Sequence, residues 1–420
     1  MIHVQQRLFG IGAQLKDTLN GFTIMRIIEG GPADLSGKIK LNDRIVAVDH
    51  KPIVGMDILE AVELIRGEKG TFVQLTVLRE IQENEKKQTE KFDIEIAREE
   101  VVLEESRLEC STEPFADGVI AYLKLHSFYQ DPNTSCTKDI RKALEKVKKK
   151  HNLKGVVFDL RSNAGGIMEQ AVSVTGLFIT KGIVVSLKDN QGKLHHSRIE
   201  DNRIAWDGPL AVLLSRASAS AAEIVAQSLQ DYGRAVLVGD DHSFGKGTFQ
   251  TLSLDASSSG KVNSKGETKV TRGTYYTVSG KSPQLKGVES DIIVPGILSQ
   301  IDIGESYAKF PLKNDNIKDH YQDDLSDLNM WKKHQLGSHY KNTLQTKLVK
   351  YTKYFPLLKK NSGKRIEKNK NYQNFLEQIQ KKRFDSESVE LFGQSDLQLQ
   401  ECFNIIKDLV FLLETEDPMQ

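Results

Sequence analysis

Hydrophobic positions change their spacing twice along this chain. Over residues 10–99 they fall in short runs that read as strands at 22–28, 41–49, 71–79 and 91–98. A helix over 56–66 sets Ile58, Val62 and Ile65 on one face. Glu29-Gly30-Gly31-Pro32-Ala33 reads as a turn leading into a short helix, Gly67 and Gly70 stop the longer one, and the charged stretch between the last two strands reads as a flexible loop. From about 100 to 300 the pattern is α/β. Strands at 118–123, 155–160, 183–187, 210–214 and 235–239 alternate with helices over 138–150, 167–177 and 219 to about 230. Asp231-Tyr232-Gly233 ends the third helix with its glycine placed for a C′ cap. A polar stretch at 255–269 reads as a surface loop or hairpin, 274–278 as another strand, and 287–295 closes the unit. Past about 300 the strands give way to polar, lysine-rich helical patterns. The last is amphipathic, about 397–413, with Cys402, Ile405, Ile406, Leu409 and Leu412 on its apolar side. The expected plan is a short linker or remnant at 1–9, a small strand-rich domain at 10–99, an α/β core at 100–300 and a helical extension at 301–420.

Composition narrows the classes without choosing one. The chain has 420 residues, 39% hydrophobic and 27% charged, as expected of a soluble globular protein of about two to four domains. A net charge of +1 provides no field that would argue for nucleic acid. Cys110, Cys136 and Cys402 show no metal-ligand spacing and no disulfide framework. No apolar run approaches the ~18 residues of a membrane span, so no integral membrane segment is expected. The opening seven residues, Met1 to Arg7, lack the apolar core and cleavage site of a signal peptide. The expectation is a cytoplasmic chain, or a mature or truncated piece of a longer one.

Two stretches carry chemistry. Ser215-Arg216-Ala217-Ser218-Ala219-Ser220-Ala221-Ala222-Glu223 runs small residues into an apolar helix and can present a serine at the helix mouth, with Ser218 the expected N-cap. Phe244-Gly245-Lys246-Gly247-Thr248-Phe249-Gln250 is a glycine-flanked lysine entering a strand. A serine hydroxyl needs a base within hydrogen-bond reach and donors for the oxyanion. A lysine serves as that base where desolvation disfavours its ammonium form. Lys246 has apolar and glycine neighbours and no local acid in register. Residues two apart on a strand share a face, so Gln250 is placed to orient Lys246. Ala221 N–H is one candidate oxyanion donor, and the glycine pair of Asp159-Leu160-Arg161-Ser162-Asn163-Ala164-Gly165-Gly166, at a strand end before a helix, supplies another. Ser215 and Ser218 compete with Ser220 as nucleophile. Asp231 reads as a cap or a partner of Arg234, and His242 as an exposed loop histidine.

These segments carry a resemblance. Gly10-Ile11-Gly12, Gly30-Gly31-Pro32-Ala33 and Leu41-Asn42-Asp43-Arg44-Ile45 together resemble a PDZ domain of the protease-associated type. The four segments that begin at Arg161, Ser218, Gln230 and Phe244, with Lys286 to Pro295, resemble the carboxy-terminal processing, or tail-specific, serine proteases. The resemblance implies a crotonase-like α/β protease core, an N-terminal PDZ domain that gates the site, and a C-terminal helical extension. It places the nucleophile on Ser220, the general base on Lys246, the orienting glutamine on Gln250 and the oxyanion donors on Ala221, Gly165 and Gly166. A peptide carboxylate would be received around Gly10, Ile11 and Gly12, with the peptide strand opposite Ile58, Val62 and Ile65. The implied partners are protein substrates with apolar C-termini, with an adaptor protein or a second copy compatible. No cofactor or metal is implied, and the implied location is periplasmic or otherwise exported. Three departures stand out: Ala222 precedes Glu223 where the family usually has serine, the stretch 240–243 is one residue longer than usual, and Ala164 stands where a glycine or proline is common. The alternatives are a non-proteolytic PDZ adaptor and, more remotely, a crotonase-type acyl-CoA enzyme.

Overall fold

The computed structural model describes residues 7–18, 20–28, 30–83, 86–102, 107–200, 202–256, 262–381 and 396–416. The chain divides into two compact units, Met1–Ser106 and Arg107–Gln420. Of the expected remnant at 1–9, residues 1–6 lie outside the described set, as does the tip of the expected 255–269 hairpin at 257–261.

The first unit is an antiparallel sheet in the order Ala13–Thr18, Gly21–Ile27, Arg44–Val48, Phe72–Glu83, Lys86–Ala97, with the helix Ile58–Ile65 beside it. Phe22, Ile24, Ile45, Val73, Leu75 and Val77 share its core with Ala61 and Ile65. Because side chains alternate across a strand, 73, 75 and 77 fall on one face. The last two strands run well past the predicted ends, in register from Phe72↔Ala97 out to Glu83↔Lys86. The charged residues that read as a loop form a ribbon instead: an antiparallel ladder satisfies the backbone without needing apolar side chains. Arg7–Gly10 pairs antiparallel with Glu99–Val102, a strand the apolar pattern does not reveal. Arg98 donates to the carbonyls of Leu64 (3.1 Å), Ile65 (2.9 Å) and Phe72 (2.6 Å), which caps the C-terminus of the helix.

The second unit is built on a six-stranded sheet in the order Ile292–Ile293, Val236–Gly239, Leu210–Leu214, Leu153–Asp159, Gly118–Leu125, Leu108–Phe115. All neighbours are parallel except the last pair. Both faces of its central strands are covered, which is why 118–125, 153–159, 210–214 and 236–239 are mostly apolar, while the edge strand Leu108–Phe115 is polar and largely exposed. Val119, Ala121, Val156, Phe158, Val212 and Leu214 pack with the helices Cys136–Lys150, Met168–Thr175 and Ala221–Asp231. Ile120, Val157, Ala211, Leu213 and Val238 meet Leu358, Tyr372, Phe375, Ile405, Ile406 and Leu409. These come from the helices Phe355–Lys368, Lys370–Gln380 and Leu397–Glu416, so the helical tail supplies the second face of this sheet. A four-stranded antiparallel sheet, Leu194–Ile199, Gly182–Asp189, Val262–Thr277, Thr248–Ala256, lies in the same unit. Ser228 Oγ on the helix Ala221–Asp231 donates to Val184 O of that sheet at 3.0 Å.

Candidate active site

The helix Ala221–Asp231 begins one residue after Ser220, which occupies the N-cap position with φ 59° and ψ −114°. Residues other than glycine avoid this region because Cβ crowds the backbone, and such strain persists only where surroundings impose it. The competing serines are committed elsewhere. Ser218, expected as the N-cap, donates from Oγ to Leu160 O (2.8 Å) and accepts from Ser215 N (2.9 Å). Ser215 Oγ accepts from Ser162 N (3.2 Å). Both are buried struts that join the serine loop to the end of the neighbouring strand.

Glu223 imposes the strain at Ser220. It is fully buried, and its carboxylate accepts four hydrogen bonds. One oxygen takes Ser220 N (2.7 Å) and Lys246 N (2.9 Å); the other takes Gly245 N (2.6 Å) and Ser243 Oγ. An acid therefore does come to the lysine loop, from the serine helix rather than from local sequence. Burial pushes its carboxyl up to about 7, against hydrogen bonds that favour the ionised form. A second clamp acts on the same two residues through their carbonyls. The Tyr275 hydroxyl lies 3.1 Å from Ser220 O and also against Lys246 O, and burial holds its pKa well above the ordinary value. The N–H groups of Ser220 and Lys246 thus share one carboxylate, and their carbonyls share one phenol. Phe244 N adds a bond to Ser218 O (2.9 Å).

Lys246 Nζ donates to Gln250 Oε1 at 3.0 Å, and Gln250 Nε2 is 3.4 Å from Thr248 Oγ1. Lys246, Thr248 and Gln250 lie together, although a bulge falls between Phe249 and Gln250 in the strand.

The Arg161-to-Gly166 segment reaches the serine from far upstream. A Cβ on Gly165 (φ 100°) would come within 2.8 Å of Ser220 Cβ and 3.0 Å of Ala221 N, so only glycine fits there. The expected donor pair behaves unequally. Gly165 N–H is taken by Asn163 Oδ1 at 2.9 Å, because the asparagine folds back on its own loop. Gly166, at φ 141° and bridged to Phe128, and Ala221 donate from N–H to no protein acceptor among the described residues. Ala219 N donates to Asn163 O (2.9 Å), which fastens the two loops to each other.

Two neighbouring expectations change. Asp231 does not pair with Arg234. It accepts from Thr277 Oγ1, Gln227 Nε2 (3.1 Å) and Ser279 N (3.3 Å), while Arg234 donates to Phe178 O (2.9 Å) and Trp206 O (2.8 Å). Both groups are buried, so each takes the partners that its own surroundings offer. His242 is half-buried, its Nδ1 against Ser243 O at 2.7 Å. Sequence reasoning used Glu223 only as a landmark, yet Ser220-Ala221-Ala222-Glu223 is a capping-box pattern, the signal that could have found it. Tyr275, in a strand of ordinary composition, had no such signal.

In the first unit, Gly10, Ile11 and Gly12 line a 170 Å³ groove with Ile58, Val62 and Ile65 opposite. Val101, from the strand that leaves the unit, lines it too.

The chain matches peptidase family S41 over residues 119–294 and the PDZ domain over residues 1–78. A tail-specific protease of Haemophilus influenzae is 33% identical over 316 residues, covering 74% of this chain and 44% of that protein. A carboxy-terminal-processing protease of Bartonella bacilliformis is 32% identical over 316 residues, covering 72% of this chain and 67% of that protein. The chain therefore spans less than half the length of the Haemophilus relative. Among solved structures, the PDZ domain of a carboxy-terminal protease from Vibrio cholerae, in complex with a peptide, is 34% identical over 23% of this chain and 99% of its own, with a TM-score of 0.21.

Proposed function

We propose that this chain, which belongs to peptidase family S41, is a serine endopeptidase that processes proteins from their C-terminal tails. One observation carries the reading: the strained Ser220 and the lysine of the downstream loop are held through both their N–H and their C=O groups, by Glu223 and Tyr275. A helix mouth needs no such double clamp for capping alone. The PDZ domain takes the substrate tail by strand addition in the groove between Gly10–Gly12 and the Ile58/Val62/Ile65 helix face. The catalytic unit is read as crotonase-like, and the enzyme as periplasmic or otherwise exported, both from the family resemblance.

In the reaction, neutral Lys246 Nζ takes the proton of Ser220 Oγ as the oxygen bonds to the scissile carbonyl carbon. Gln250 accepts one N–H of the amine and so directs its lone pair. The oxyanion is met by the N–H groups of Gly166 and Ala221, the second at the positive end of its helix. Protonated Lys246 then hands its proton to the departing amine nitrogen, which leaves an acyl-enzyme on Ser220. Water, deprotonated by Lys246, attacks that ester and returns the serine. No step calls on a metal or a nucleotide.

A serine-reactive fluorophosphonate tests this directly. Label on Ser220, lost in Ser220→Ala and strongly slowed in Lys246→Ala, together with cleavage of an apolar-tailed substrate, is the expected result. A folded chain that neither labels nor cleaves would leave the PDZ adaptor reading in its place.

A further inference from the structure

The first turn of the terminal helix Leu397–Glu416 reaches into the loops that surround Ser220. Asp396, its cap, accepts Leu399 N at 2.9 Å and also binds the Arg161 guanidinium in two-pronged fashion, at 2.8 and 2.6 Å. Arg161 opens the segment that ends in Gly165 and Gly166, and its Nη2 also donates to Asp159 at the strand end, at 2.6 Å. Two residues on, Gln398 Oε1 lies 3.2 Å from Arg161 Nη1, and its Nε2 donates to Val294 O (2.7 Å) and to Asp240 Oδ1 (3.2 Å). Asp240 in turn accepts Arg216 N at 3.0 Å, in the loop that leads to Ser220, and Gly296 N at 2.8 Å. Asp240 is completely buried and Gln398 nearly so. Arg161, Ser162, Ser215 and Asp240 border a 420 Å³ cavity with Asp396 and Gln398, which Phe375 and Leu397 line as well. Further along, the helix is seated on the sheet by Cys402, Ile405, Ile406 and Leu409, all fully buried. It is therefore a rigid base for these contacts.

We propose that Asp396 and Gln398 are positioning residues of the catalytic centre. Through Arg161 they hold the segment that presents the Gly166 donor, and through Asp240 the loop that presents Ser220. The helical tail is then part of the active site's support. This rests on the peptidase reading above.

The test uses the full chain with Asp396→Asn and Gln398→Leu. Asparagine caps a helix as well as aspartate does but removes the charge that faces Arg161. On a fixed peptide substrate, kcat should fall between about ten- and a hundredfold with KM unchanged, since a displacement of about an ångström costs that much. Titration of the active serine should show that every molecule remains competent. Amide hydrogen exchange should quicken at 161–166 and 215–219. The control is Glu401→Gln, on the same terminal helix, which breaks the 2.8 Å pair with Arg365 of the helix Phe355–Lys368 and should lower Tm at wild-type kcat. Wild-type kcat and exchange in both variants would overturn the proposal, and so would a kcat loss matched by Glu401→Gln. If the wild type neither labels nor cleaves, the peptidase reading fails, and exchange at 161–166 and 215–219 still decides whether the tail positions these loops.

Discussion

Glutamine at position 223 is the sharpest perturbation of the site, because it keeps the shape of Glu223 and changes only charge and donor pattern. Each carboxylate oxygen now serves two donors. The best amide arrangement keeps the carbonyl oxygen on Ser220 N and Lys246 N and turns the NH₂ toward Ser243 Oγ, which can accept. Gly245 N–H, buried, is left facing an N–H. Stranding one such group costs about 1–3 kcal/mol, and the bonds that survive lose their charge assistance, for a total of about 2–4 kcal/mol. Ser220 and Lys246 lose part of their shared tether, so labelling of Ser220 by a fluorophosphonate should slow by about tenfold or more. The measurements are urea denaturation and the second-order labelling rate. A Glu223→Gln protein with wild-type labelling and stability within about 0.5 kcal/mol would refute the clamp. There is a pH signature as well. Glu223 ordinarily titrates at 4.5, and burial lifts it to about 7 in the fold. The folded protein thus holds this proton more tightly than the unfolded chain, and the stability it contributes is lost as pH rises across that window. The ionised form is the one that accepts all four donors, so labelling should rise over the same interval. Both trends should flatten in Glu223→Gln.

Three further outcomes follow from the geometry. Ser220→Gly should be more stable than Ser220→Ala by about 1 kcal/mol, because alanine keeps the Cβ that φ 59° crowds; equal Tm values for the two inactive proteins would argue that the backbone there is not strained. Gly165→Ala should lose about 2 kcal/mol or more and slow Ser220 labelling, since its Cβ would press on Ser220 Cβ and Ala219 O at 2.8 and 2.9 Å; a protein as stable and reactive as wild type would contradict that packing. A fluorescent peptide with an apolar C-terminus should bind through the first unit and weaken sharply on C-terminal amidation or with Val62→Asp, and undiminished anisotropy in either case would exclude the groove as its site.

Local chemistry alone already marks much of this protein. The glycine–lysine–glycine entry to a strand, the small residues before a helix, the capping pattern from Ser220 to Glu223 and the solid apolar runs are all written within a few residues, where backbone sterics and side-chain periodicity act. What escaped was of two kinds. Elements with no apolar contrast were missed: the edge strand Leu108–Phe115 is largely exposed, and the outer ribbon of the first unit is charged, so neither leaves a pattern even though its ladder is sound. Contacts between distant segments were missed as well. That Gly165 spends its N–H on Asn163 while Gly166 donates to no protein acceptor among the described residues depends on how one loop folds back. That Glu223 gathers four donors, that Tyr275 closes the other side, and that Asp396 and Gln398 reach back to Arg161 and Asp240 depends on which backbones the tertiary fold brings within 3 Å or so of a side chain. A hydrogen bond between remote segments has no period along the chain. Residue types could therefore nominate the serine and the lysine, and only the folded arrangement could say what holds them together.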